Sequence, residues 1–197
     1  MKMSNNIWNA EDDLKSNLGF VSGLDAWNLS DVLVRANRKV TSRFGNRVEQ
    51  RLYADFGKQR VYDINFFDVI KKEGFNVFLN DLLVSDDDYE IEYDIGRIIF
   101  TESFANKNFS EFTRFRLRVD YLPMIYRTLE LYYAMNEVLA SVVVQLNDSE
   151  NNVRYKNIKE QIKETETAIL DNMPSPDYDK GVGMANRDVR SGQKYNV

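Results

Sequence analysis

The sequence predicts an α+β fold: a helical body with a long C-terminal helical hairpin, an inserted antiparallel β-domain of hairpins, and an extended C-terminal arm. Three observations predict it. Val32, Ala36, Val40 and Phe44 recur every four residues, which is a helical period. From about Glu49 to Tyr121 the apolar period falls to two, the period of strands. Beyond Pro123 the helical pattern returns over two long segments and is lost at Met173. The boundaries follow: 1–48 for the N-terminal helices, 49–121 for the β-domain, 122–172 for a helical hairpin packing with those helices, and 173–197 for the arm.

Each element has a local signal. Asn9 ahead of Ala10-Glu11-Asp12-Asp13 reads as an N-cap with acids in the first turn, and Gly19 stops that short helix near Leu18. Ser30 caps the next helix, with Leu29 and Val34 at hydrophobic-staple spacing, and Gly45 ends it. Arg35, Arg38, Lys39 and Arg43 fall off its apolar stripe. Asn76–Leu79, the turn Asn80-Asp81 and Leu82–Val84 form a hairpin. Tyr89–Tyr93 alternates, Asp94-Ile95-Gly96 turns, and Arg97–Phe100 returns beside it. Ser103 to Ser110 reads as a polar loop.

Thr113 to Tyr121 is the clearest strand: Phe115, Leu117, Val119 and Tyr121 face one way, Arg114, Arg116, Arg118 and Asp120 the other. A long helix begins near Met124, and from Leu131 to Leu146 it is apolar on most faces, with Glu137 its only charge. After Asn147-Asp148-Ser149 a second helix runs from about Glu150 to Asn172, with Val153, Ile158, Ile162 and Ile169 on one stripe. The short connection makes the pair antiparallel. Met173 to Val197 holds two of the three prolines, three glycines and few large apolar residues, an arm with no fold of its own.

Composition narrows function. The chain has 197 residues and neither histidine nor cysteine. The usual zinc ligands, thiolate nucleophiles, disulfides and histidine bases are therefore missing. No enzyme and no cofactor is expected. A net charge of −5 argues against a general nucleic-acid binder. Met1 to Ala10 has one lysine and no apolar core, unlike a signal peptide. Leu131–Leu146 is too short and too polar to cross a bilayer. The expected place of synthesis is the cytoplasm.

Several segments invite chemistry. Asp86-Asp87-Asp88 with Glu90 and Glu92 lacks the spacing and glycine of a calcium loop and reads as a solvated hairpin end. Lys180-Gly181-Val182-Gly183 follows no strand and lacks a third glycine. The Arg114, Arg116, Arg118 face has three readings: a basic stripe toward phosphate, pairing across the sheet with Glu90 and Glu92, or the same pairing between subunits. The rings Phe66-Phe67, Phe104, Phe109, Phe112, Phe115 and Tyr132-Tyr133 read as core. The apolar helix has two readings, a central core helix or one whose third side meets a neighbouring subunit. Tyr132, Leu139 and Val143 are its interface candidates.

Three segments carry a resemblance: Asp31 to Val40 (DVLVRANRKV), Val77 to Leu83 (VFLNDLL) with Asp88 to Phe100 (DYEIEYDIGRIIF), and Leu122 to Arg127 (LPMIYR) leading into paired helices. They resemble the head-to-tail connector or adaptor (neck) proteins of tailed bacteriophages. The second is similar to the V-x-V-N-G … D-Y-x-x-x-Y-x-x-G-x-I-x-F hairpin of phage structural proteins, with Asp81 in place of the glycine. The resemblance implies a virion protein whose copies form a homo-oligomeric ring, usually a dodecamer. That ring would sit beneath the portal protein and above a tail or nozzle protein, and genomic DNA would pass through it unread. It implies an arm reaching along the portal, with Tyr178, Arg187, Arg190 and Tyr195 as contacts. The other reading is a tail-fibre or baseplate component whose aromatic β-domain binds a surface glycan.

Overall fold

The N-terminal helices are set by their caps. In the computed structural model, which describes residues 8–52, 59–66, 69, 74–109, 115–146 and 149–174 (backbone only at 144–146 and 149), α1 runs Glu11–Leu18 and α2 Leu29–Phe44. The Asp13 carboxylate accepts from the Ala10 N–H at 2.8 Å, so Ala10 is the cap residue of α1. Asn9, expected there, is bonded to a distant helix instead. Asn28 caps α2, its side chain accepting from the Asp31 N–H at 3.3 Å. The helix thus starts before Ser30, and Leu29 is buried in its first turn. Gly45, at φ +83°, ends it, a conformation glycine adopts without steric cost.

The middle of the chain forms two antiparallel sheets among the described residues. One contains, in order, β1 (Val48–Leu52), β7 (Leu117–Tyr121), β3 (Asn76–Leu79) and β4 (Leu82–Leu83). The other contains β2 (Val61–Asp63), β6 (Arg97–Phe100) and β5 (Tyr89–Glu92). Alternation decides which side is buried: Val48, Gln50 and Leu52 of β1 and Leu117, Val119 and Tyr121 of β7 face inward. Asn80 and Asp81 both have positive φ, 51° and 68°, as a two-residue hairpin turn of this hand requires.

The polar loop expected at Ser103–Ser110 is a helix, α3 (Glu102–Asn108). Thr101 caps it by accepting from the Phe104 N–H at 3.3 Å. Phe104, Ala105 and Phe109 turn inward, and the Phe104 ring stacks on Phe100 at 5.2 Å. A seven-residue helix with so few apolar positions has little periodicity to show.

α4 (Met124–Leu146) packs against α1, α2 and α5 (Ser149–Asn172). Every residue of α4 from Met124 to Val143 is buried or half-buried, so its apolar sides are covered by the chain's own helices. α5 runs antiparallel to it: Tyr126 meets Met173 and Tyr133 meets Glu166. Ile158 and Ile169 of the expected α5 stripe are buried, but Val153 is 58% exposed. Five residues from Ile158 is a rotation about 140° away around the helix, which takes Val153 off the stripe.

One core joins sheets to helices through Val40, Phe44, Val119, Tyr121, Tyr126 and Ile169. A second lies among the helices, around Leu14, Leu33, Ala36, Val138 and Leu139. The fold is α+β, and no helix among the described residues is long and apolar enough to cross a membrane.

Candidate functional site

The most concentrated polar cluster is built on α4. Glu130 is 0% exposed. Its carboxylate accepts from the Asn9 N–H at 2.9 Å, Asn9 Nδ2 at 3.0 Å, the Trp8 N–H at 3.2 Å and Asn37 Nδ2 at 2.6 Å. One turn earlier, Arg127 donates to Asn9 Oδ1 at 3.1 Å and to Asp13 at 3.0 Å. Burial pushes the Glu130 carboxyl up, against the hydrogen bonds from Asn37, Asn9 and Trp8 that favour the charged form. Asp13 sits below the usual carboxylate range, chiefly through the Ala10 N–H and then Arg127. Chemically the cluster is an anchor: it ties the segment before α1 to α4 and α2.

The arginine strand does not meet the glutamates of β5. Glu90 pairs in register with Ile99, and Glu92 with Arg97, whereas β7 lies in the other sheet between β1 and β3. The expected pairing of Arg116 and Arg118 with Glu90 and Glu92 across one sheet is therefore corrected. Arg118 instead bonds Glu49 of β1 at 3.3 Å, and its guanidinium lies 4.2 Å from the centre of the Phe78 ring. Arg116 pairs with Asp81 at 3.3 Å, and its N–H donates to Asn80 Oδ1 at 2.9 Å. Glu49 faces Asp120 directly. Burial, and then that neighbour's charge set against Arg118 and Arg47, pushes the Asp120 carboxyl up. Arg114 lies outside the described residues.

The other interface candidates scatter. Glu90 and Glu92 are exposed, Tyr132 and Val143 half-buried, and Leu139 is fully enclosed by its own chain. Tyr178, Arg187, Arg190 and Tyr195 lie outside the described residues, as do Phe67, Phe112 and the Lys180–Gly183 segment. Phe66 and Phe109 are buried, while Phe104, Phe115, Tyr132 and Tyr133 are half-buried. Three of the four cations off the α2 stripe reach other helices: Arg35 pairs with Glu137 of α4 at 2.6 Å, Lys39 with the same carboxylate at 3.9 Å, and Arg43 with Glu166 of α5. Asp86–Asp88 form a 3₁₀ turn in which Ser85 accepts from the Asp87 N–H, and Tyr89 donates to Asp86 at 2.7 Å. Among the described residues no cluster of three acids is placed to hold a metal ion.

Sequence reasoning missed two features. Glu130 stands just ahead of the apolar run, and its only signal is that a carboxylate there must find donors if α4 is buried on all sides. The other is the β4 edge, where Leu82 and Leu83 are 74% and 65% exposed on the outermost strand of the four-stranded sheet. Adjacent apolar residues at a two-residue strand next to a turn are its signature. No protein-family model matches this chain, and no curated protein does.

Proposed function

We propose that this chain is a structural virion protein, a ring-forming adaptor that joins the portal of a phage head to the tail and lets genomic DNA pass. The observation that carries the reading is the packing order. α1 and α2 close against α4, which pairs with α5, although the whole stretch from Gly45 to Pro123 separates them in sequence. That supports a helical body with an inserted β-domain, in which α4 and α5 are the central helical hairpin. The Leu82-Leu83 edge supports a contact with another subunit, because contiguous exposed apolar residues on an edge strand favour association.

The mechanism is joining and sealing. Copies close into a ring, the arm (with Tyr178, Arg187, Arg190 and Tyr195) engages the portal, and the β-domain meets the tail or nozzle protein. A net charge of −5 weakens non-specific attraction to passing phosphates. Location is the host cytoplasm during assembly and the virion neck afterwards. The test is native mass measurement and class averaging of the protein mixed with portal rings of its own virion. A closed ring of many copies on the portal is expected. A protein that stays monomeric and leaves the portal rings bare under assembly conditions overturns the proposal. Leu82→Asp with Leu83→Asp should keep stability within about 0.5 kcal/mol, as exposed substitutions do, and lower the yield of rings.

A further inference from the structure

The solvent side of α5 carries a charge pattern that the described fold does not use. Glu160, Lys163, Glu164, Thr167, Ala168 and Asp171 line one open depression there. They lie at spacings of three and four residues, on the side of the helix away from the buried Ile158 and Ile169. Other acids of α5 are paired: Glu166 with Arg43, and Glu150 with Arg154 at 2.6 Å. Glu160, Glu164 and Asp171 make no ion pair among the described residues. Leu170, three residues from Thr167, is 54% exposed.

We propose that this face is a resting dock for the chain's own C-terminal arm, residues 180–197, laid back antiparallel to α5. The arm starts where the face ends, because α5 finishes at Asn172 and the last described residue is Pro174. Charge is complementary: residues 180–197 carry Lys180, Arg187, Arg190 and Lys194 against one acid, Asp188, with Asp177 and Asp179 in the link ahead of them, and the six residues lining the depression include three acids and one lysine. The spacing also fits. Lys180 to Arg187 spans at most about 23 Å when extended. Asp171 to Glu160 spans about 17 Å along the helix, so the two cations reach the two ends of the acidic stripe. On the adaptor reading, on which this consequence rests, α5 holds the portal-seeking cations until a competing partner surface takes them.

The chain has no cysteine, so Thr167→Cys carries a single spin label on the full-length protein. Paramagnetic broadening of the backbone amides is then read in a proton–nitrogen spectrum. Amides of 184–190 are expected to lose more than half their intensity. They should regain it in 0.5 M salt and in the Glu160→Lys, Glu164→Lys, Asp171→Lys variant, whose unchanged core amides show it still folds. Broadening equal in the charge-reversed variant, or no broadening, overturns the dock. So does broadening that appears when unlabelled-nitrogen, spin-labelled protein is mixed with nitrogen-labelled protein, because the arm then belongs to a neighbouring copy. The two proposals fail separately. Rings on the portal without broadening sink the dock alone, and broadening without any portal binding sinks the adaptor alone.

Discussion

Replacing Glu130 by alanine probes the one carboxylate that is fully buried in the described chain. Asn37, only 7% exposed, loses the carboxylate acceptor of its Nδ2 at 2.6 Å, and a hydrogen bond to a charged group is worth about 1.5–3 kcal/mol. Trp8 and Asn9 avoid the same penalty only by leaving. That forfeits the Trp8–Tyr126 ring contact, with centroids 5.8 Å apart, a further ~0.5–1.5 kcal/mol. With the void left by the carboxylate, the expected loss is about 3–5 kcal/mol, the range for breaking a buried charged network. In a chain of this length that lowers Tm by roughly 10 °C. Urea and thermal unfolding by circular dichroism measure the loss, and acrylamide quenching of Trp8 in a Trp27→Phe background reads release of the segment. A loss under about 1 kcal/mol with Trp8 still shielded refutes the anchor.

Glu130→Gln separates charge from shape. Burial raises the carboxyl's pKa, so the folded state holds that proton more tightly than the unfolded one. Its contribution is fully present below the ordinary glutamate value, about 4.3. It falls as pH rises through the raised value, by up to about 1.4 kcal/mol per pH unit. Glutamine has no such proton. The stability of wild type minus Glu130→Gln should therefore decline with pH inside that window and be flat outside it, and a difference that grows with pH contradicts the sign.

Gly96 sits at φ +65° with its Cα facing the Phe66 carbonyl and the Ile64 side chain; Gly96→Ala should cost about 2 kcal/mol. Gly23→Ala, at φ +75° with nothing within 4 Å, isolates the backbone part and should cost about 1 kcal/mol by urea midpoint. Asn80→Ala removes the acceptor of the Arg116 N–H and a residue tolerant of φ 51°; a loss of about 1–2 kcal/mol is expected, with Asn80→Gly recovering the conformational share. The Tyr62 hydroxyl is buried with no hydrogen-bond partner among the described residues, and burial pushes its pKa up to about 12. The unfolded chain loses that proton first, near pH 10, so stability falls from about there. Tyr62→Phe should gain about 1 kcal/mol at neutral pH and unfold at a higher alkaline midpoint.

How far the sequence could be read depends on the range over which each feature is decided. α2 was legible because Val32, Ala36, Val40 and Phe44 repeat the helical period, and all four are buried. The two hairpins were legible because Asn80-Asp81 and Asp94-Ile95-Gly96 name their own turns. α3 was not, since its cap and three inward residues look like a polar loop until Phe100 supplies the surface they cover. Strand partners were not either: Glu90 and Glu92 alternate just as Arg116 and Arg118 do, and alternation carries no information about which sheet a strand joins. The Glu130 anchor depends on Asn9, 121 residues away, and no local pattern encodes a contact of that span.

α4 also changes where a subunit contact can lie. Leu139 is fully enclosed by its own chain and has nothing to offer a neighbour, so on the ring proposal the contact falls to what remains exposed. Phe20, 41% exposed, is capped by the Arg154 guanidinium 3.8 Å from its ring centre. Val153 and Leu170 lie about 25 Å apart along α5, single apolar residues of a kind that every surface carries. Leu82 and Leu83 differ because they are adjacent, are the two most exposed large apolar residues described, and occupy a strand whose outer edge has no partner in the four-stranded sheet. An edge strand of two residues is short enough to limit indiscriminate pairing, yet it presents backbone groups and apolar surface together. Contiguity on an open edge, rather than the total of exposed apolar area, is what puts this hairpin ahead of α5 as the place for the proposed subunit contact.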